Sequence, residues 1–240
     1  MAKLANAAKM APRPTSHQVY EDLHGQIVRG ALRPGQALSE TKVADSYGLS
    51  RTPVREVFWR LGEDGFLRVV PQVGTFVAPI NILAVYDSQF VRETLECRAI
   101  TDAARKATDV TVGILRTLLE DQDTAMKKQD FQRFFALDEA MHRTLMMIAD
   151  RPFVWQVITG AKAQLDRVRF LSLEAGEWPG MIMEQHREIV DRVAARDAAG
   201  AERVMTAHLR TAFAAIGRIA AAHPDFFEGQ DPRETQEGTA

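Results

Sequence analysis

Cysteine is almost missing from this chain: Cys97 is the single thiol in 240 residues. One thiol closes no internal bridge, which excludes a disulfide-stapled secreted domain and points to a reducing compartment, the cytoplasm. Long apolar runs are missing too. No stretch of 18 apolar residues occurs, so the sequence offers no membrane span. The opening residues, MAKLANAAKMAPRP, hold three basic side chains but no continuous apolar segment, and do not read as a secretory signal. Net charge is small at −2, and the total conceals an imbalance. Residues 1–80 carry 10 Lys+Arg against 7 Asp+Glu, a net of +3, and residues 81–240 carry 20 against 25, a net of −5. Only the front third leans basic, as a module that meets phosphates should. Apolar residues at 46% supply a sizeable core, and the length suits one large or two ordinary domains.

The front third reads as three short helices and a hairpin. Ser16 is placed to cap a first helix through Arg29, with Val19, Leu23 and Ile27 along one face. Gly30 and Pro34-Gly35 turn the chain. Ser39 caps a second helix whose Val43, Ala44 and Tyr47 face inward, and Gly48 supplies its left-handed end. Ser50 is expected to cap a third helix through its hydroxyl. Val54, Val57, Phe58 and Leu61 give that helix one buried face, while Arg51 and Arg55 share another. Phe66–Val70 and Thr75–Ala78 read as two strands with Gly74 at the tip. Helix, tight turn, helix and hairpin is the order of a winged helix-turn-helix. In that arrangement the start of the third helix reaches base edges. Arg51 and Arg55 suit guanine O6 and N7, and Ser50 and Thr52 suit phosphate oxygens.

The string L-x-P-G-x-x-L-x-E…G-L-S-R-T-P-V-R-E-V…L-x-x-x-G-F-L…G-T-F-V, over residues 16–80, resembles the DNA-binding domain of the GntR family of bacterial transcription regulators. The resemblance implies that Arg51 and Arg55 read bases or backbone and that Gly74 lies in the minor groove. Thr41 stands where some members have arginine, with Lys42 beside it as a substitute, which leaves operator preference open.

From Asn81 to about His223 the pattern is helical, with breaks at Thr108-Asp109, Gln129-Asp130, Arg151-Pro152, Gly176–Gly180 and Ala199-Gly200. The expected fold is therefore mainly α: a winged helix-turn-helix (16–80) behind a flexible arm (1–15), then an all-α bundle of six to seven helices (81–223) and a flexible tail (224–240). In the helix capped by Asp130, both Asp138 and His142 fall inside the apolar stripe of Phe134, Met141 and Leu145. A carboxylate on a buried face is costly unless paired or bound to metal. His186 lies with Ile182, Ile189 and Val193, and His208 follows Val204 by one turn, so one Asp and three His point inward from three helices. That donor set suits a borderline divalent ion: zinc first, with nickel or manganese as alternatives. Singly, each of these residues is read as a hydrogen-bonded core group; only the joint pattern points to metal. His17, His24 and His223 are read as surface or terminal.

Val91-Arg92-Glu93-x-Leu95-Glu96, Leu137-Asp138-x-x-Met141-His142-x-x-Leu145, Glu184-Gln185-His186-x-x-Ile189-Val190 and His208-Leu209 resemble the FCD ligand-binding domain, over about residues 82–222. Met141 replaces the usual Phe. The resemblance implies that Asp138, His142, His186 and His208 hold a metal, with a small carboxylic acid beside it. Arg92 is the residue expected to meet the acid, with a salt bridge to Glu96 as the alternative reading; Arg167 and Arg169 are lesser candidates. Trp155, Trp178 and the clustered methionines are read as core or cavity lining. The expected protein is a homodimer on an inverted-repeat operator, modulated by the acid, with no membrane partner. A metal-free acyl-CoA-responsive regulator and a metal-dependent enzyme are the alternatives. The enzyme has against it that no further buried Glu or Asp stands out as a base.

Overall fold

A computed structural model describes residues 14–176 and 179–228. The expectations for an N-terminal arm, for Trp178 and for residues beyond 228 therefore lie largely outside the described residues. The first helix, α1 (Ser16–Val28), begins at the residue expected to cap it. Thr15 is the N-cap, and its side chain and that of Gln18 satisfy each other's backbone N–H groups. Strand β1 (Ala37–Leu38) precedes α2 (Glu40–Tyr47), which Ser39 caps through the Lys42 amide. Gly48 ends α2 at φ 65°, where a Cβ would be strained, and the chain turns at once into α3 (Arg51–Glu63). Ser50 is the N-cap of α3 by position, but its hydroxyl makes no capping bond there. Val54, Val57, Phe58 and Leu61 are buried, each contributing about 1.5–3 kcal/mol.

The hairpin is β2 (Leu67–Val70) and β3 (Gly74–Val77), and β1 adds an unforeseen third strand in the order β1-β3-β2, all antiparallel. At two residues, β1 is too short for any alternation to show.

The helical part is α4 (Ile82–Lys106), α5 (Asp109–Lys127), α6 (Phe131–Ile148), α7 (Pro152–Ala161), α8 (Ala163–Glu174), α9 (Pro179–Ala194) and α10 (Ala198–Ala222). The break at Lys162 was not expected, although Gly160 lies two residues before it. The break expected at Ala199-Gly200 comes earlier: Asp197 caps α10, and Gly200 lies within the helix. The chain also stays attached past residue 223, where the tail was expected to begin. Pro224–Phe226 form a 3-10 turn, and Ile80 in the connection between modules pairs with Phe227. Ile80 N–H donates to the Phe226 carbonyl (2.7 Å) and Glu228 N–H to the Ile80 carbonyl (3.0 Å).

Three apolar cores carry the site. One, within the winged module, extends to Phe170 of α8. The largest joins α4, α5, α6, α9 and α10 and contains Met141, Met146, Leu145, Ile189 and Leu209. A third seals Ile80 against α8, α10 and Phe226. Met183 is buried as well, Trp155 packs half-buried, and Met147 and Met181 are largely exposed, unlike the core role expected of them. Among the described residues no helix is long and apolar enough to cross a membrane.

Candidate metal centre and nucleic-acid interface

Asp138 and His142 lie one turn apart on α6, His186 on α9 and His208 on α10. All four are buried, and one ligand atom from each lies within 4.8 Å of the others. Asp138 Oδ1 is 3.2 Å from His186 Nε2 and 3.7 Å from His142 Nε2, and the Nε2 atoms of His142 and His208 are 3.2 Å apart.

The surroundings of the rings settle which nitrogen carries the proton. His142 Nδ1 is 2.5 Å from Glu96 Oε2. Burial pushes the Glu96 carboxyl up, but Arg92 and His142 outweigh it and hold it far below the usual range, so it is ionised and can only accept. His186 Nδ1 is 2.7 Å from Gln122 Oε1, whose amide nitrogen donates to the Leu137 carbonyl at 3.2 Å. His208 Nδ1 is 3.2 Å from Gln185 Oε1. That amide nitrogen donates to Thr211 Oγ1, which itself donates to the Ala207 carbonyl. Each Nδ1 thus faces an oxygen acceptor, and the Nε2 side of each ring is turned toward the other members of the quartet. His186 Nε2 is buried without a hydrogen-bond partner. Burial lowers His186 and His208 below the ordinary imidazole value, with His142 opposing the charge on both, which keeps these two rings neutral. Neutral imidazoles with partnered Nδ1 atoms and a carboxylate are a donor set that fits a divalent ion.

Arg92 makes the salt bridge to Glu96 that was its alternative reading. Its Nε donates to Glu96 Oε1 (2.6 Å), while Nη2 is buried without a partner. Arg92 also lines a cavity of about 40 Å³ beside the quartet, with Asp138, His208, Arg169, Phe134, Phe135, Ser172 and Thr211. Room of that size holds a few water-sized groups.

Sequence reasoning missed the charges behind the quartet. Arg169 Nη2 donates to Asp138 Oδ2, and its Nη1 contacts Glu139 and Asp166, both at 2.8 Å. Burial works against the charge on Arg169, but the three carboxylates outweigh it and hold its pKa well above the ordinary value. Lys162 pairs with Glu139 (2.7 Å) and with Asp166. Glu96 and Asp166 are buried carboxylates that no apolar stripe exposed. Arg167, in contrast, faces away from the cavity and toward the winged module. His24 is half-buried rather than on the surface, stacked on Tyr20 and edge-on to Phe66, and burial lowers its pKa.

In the winged module Ser50, Arg51, Thr52, Arg55 and Gly74 are all exposed, and both arginines stand on one face of α3. In the unbound protein Arg51 Nη2 (3.5 Å) and Arg55 Nε (3.4 Å) share one oxygen of Glu40 from α2.

Comparison with known proteins identifies both modules. Residues 15–77 match the profile described as bacterial regulatory proteins, gntR family, and residues 87–211 match the FCD domain. The chain is 38% identical to an uncharacterised HTH-type transcriptional regulator of Streptomyces ambofaciens over 215 residues, 90% of each chain. It is 34% identical to the HTH-type transcriptional repressor RspR of Escherichia coli K12, over 90% of this chain and 94% of that one. Among solved structures, E. coli McbR/YncC superposes with a TM-score of 0.74 at 23% identity, covering 87% of this chain and 99% of that one. At that identity the likeness is one of fold.

Proposed function

The chain belongs to the GntR family of bacterial transcription regulators, carries an FCD domain behind its DNA-binding module and is not an enzyme; from that premise we propose that it is a metal-dependent repressor relieved by a small carboxylic acid. A homodimer sets two winged modules on an inverted repeat, because two-fold protein symmetry calls for a palindromic site. Arg51 and Arg55 leave Glu40 for guanine edges, Ser50 and Thr52 hold phosphate oxygens, and Gly74 lets the wing backbone approach the minor groove. Asp138, His142, His186 and His208 hold a divalent ion, zinc first. When bound, the ion supplies a Lewis-acidic position for a carboxylate oxygen. Arg92 Nη2, buried and unpartnered, takes the acid's other oxygen. The reading is carried by three buried imidazoles and one carboxylate whose ligand atoms lie within 4.8 Å of one another, each ring oriented by its own Nδ1 partner. A cavity of about 40 Å³ favours a compact acid over an acyl chain.

Metal-stripped protein titrated with zinc in a calorimeter should take up one ion per protomer, and His186→Ala should not. Small acids should then raise the melting temperature of the loaded protein only. A stripped protein that takes up no zinc would remove the metal from this account. Acids that shift stripped and loaded protein alike would detach the effector from it.

A further inference from the structure

Residues 164–173 of α8 are all buried or nearly so, an unusual state for a helix that carries Asp166, Arg167 and Arg169. The two sides of α8 touch different things. On one side Arg169 grips Asp138 Oδ2 and, with Lys162, ties it to Glu139 and Asp166. On the other side Gln164 Nε2 donates to the Gly65 carbonyl (2.8 Å) and Arg167 Nη1 to the Ala78 carbonyl (2.9 Å). Gly65 lies just before β2 and Ala78 just after β3, so α8 holds both feet of the wing. Phe170 of the same helix sits in the core of the winged module.

We propose that α8 is the element that transmits the state of the Asp138 quartet to the wing, with Arg169 as the positioning residue at its input and Gln164 and Arg167 at its output. The proposal rests on the metal reading above and adds the route. The carboxylate of Asp138 is divided: Oδ1 faces His142 and His186, and Oδ2 faces Arg169. A divalent ion held by the quartet would draw on the Asp138 carboxylate, and its attraction for the Arg169 guanidinium would weaken. Arg169 then leans toward Glu139 and Asp166, which already hold its other nitrogen. A helix packed on all sides cannot absorb that shift in a loose face, because close-packed interiors transmit displacement. The shift arrives at the Gly65 and Ala78 carbonyls, held at each foot by one side-chain bond. A site that changes the wing in this way biases one arrangement of the DNA module over another, which coupling between sites requires.

The test is amide hydrogen exchange of the full-length protein with and without zinc, the metal alone serving as probe. In the wild type, zinc should slow exchange in α6, α9 and α10 around the ligands. It should also change exchange in wing peptides spanning residues 64–78 by roughly fivefold or more, the lower end of ordinary coupling between sites. Gln164→Leu removes the bond to Gly65. Gln164→Glu also removes it but gives Arg167 a carboxylate partner, so at least one of the two keeps the fold. In either, the α6, α9 and α10 response should persist and the response should fall at the Gly65 foot, residues 64–70, while the Ala78 foot, still held by Arg167, keeps part of it. A wing that answers zinc as strongly in both variants overturns the route. A wild-type wing that stays silent while α6, α9 and α10 respond overturns it too, and leaves the metal site standing. If zinc protects nothing anywhere, the metal reading falls and takes the route with it.

Discussion

The winged module carries its reading charges outside, where they hold little, and the helical module carries a set of charges inside, where they hold one another. Arg51 and Arg55 are more than half exposed and share one carboxylate oxygen at 3.4–3.5 Å. Exposed pairs of this kind contribute about 0–1 kcal/mol, so their release to a nucleic acid costs the fold almost nothing. Arg92, Arg169 and Lys162 are buried among Glu96, Asp138, Glu139 and Asp166, and each is committed before any ligand arrives. A reader needs side chains that are free to leave; a receptor for an ion needs side chains that are already placed. The same residue type, arginine, serves both purposes because its surroundings differ.

That contrast can be broken most forcefully at Asp138. In the metal-free protein Asp138→Ala strips Arg169 of one carboxylate in a buried network, and the expected loss is about 3–5 kcal/mol of stability in denaturant unfolding. A loss below 1 kcal/mol would mean that Glu139 and Asp166 alone suffice for Arg169. Next in size is Gln122→Leu, which removes the Nδ1 partner of His186 without touching a ligand. Zinc affinity should drop by about 10- to 100-fold in a competition titration with a coloured chelator, as removal of an outer partner usually costs. Unchanged affinity would show that the ring is held by packing alone.

Acidity gives a smaller effect, with a definite sign. Burial lowers His186 and His208 in the folded chain, whereas in the unfolded chain they take up protons below about pH 6.5. The unfolded state then binds more protons than the folded one, so stability rises with pH across that window and falls as the solution is acidified. From pH 7.5 to 6.0 the stripped protein should lose somewhat under about 1 kcal/mol for each of the two imidazoles. Asp138, held far below its usual value by Arg169 and His142 against the opposing effect of burial, adds a loss of the same sign at more acid pH. A urea midpoint that is flat between those two pH values contradicts the neutral, buried state of these rings. The smallest change belongs to the outside: Glu40→Gln should leave the melting temperature within a degree or two and strengthen operator binding modestly, by up to about 1 kcal/mol in a low-salt gel shift. Weaker binding would give Glu40 a role in aiming the arginines.

The quartet was legible because each member breaks an apolar stripe: Asp138 and His142 stand among Phe134, Met141 and Leu145, and His186 stands beside Ile189 and Val193. The helix-turn-helix was legible because its caps and glycines fall where backbone geometry demands them, Gly48 above all. The outer partners were not. Glu96, Gln122 and Gln185 come from α4, α5 and α9; Glu96 and Gln185 stand in the FCD-like motifs, yet nothing in the sequence ties any of the three to the rings, and only the packing of those helices brings them there. The buried cluster around Arg169 was hidden for the same reason. Its members lie on α6 and α8, and α8 shows no amphipathic period because it has no solvent face. Lys162 was hidden as a lysine with almost no exposure.

The short turn after α10 reaches back over the front of the molecule. Phe226 lies against Gly30 at the end of α1, where even a methyl group would come within 3.1 Å of the ring, and Arg33 stacks above it. The short turn thus pins the connection at Ile80 between the two modules. A chain truncated after the last long helix would lose these contacts to Ile80 and Gly30, and a bulky side chain at position 30 would push the same ring away from the opposite side.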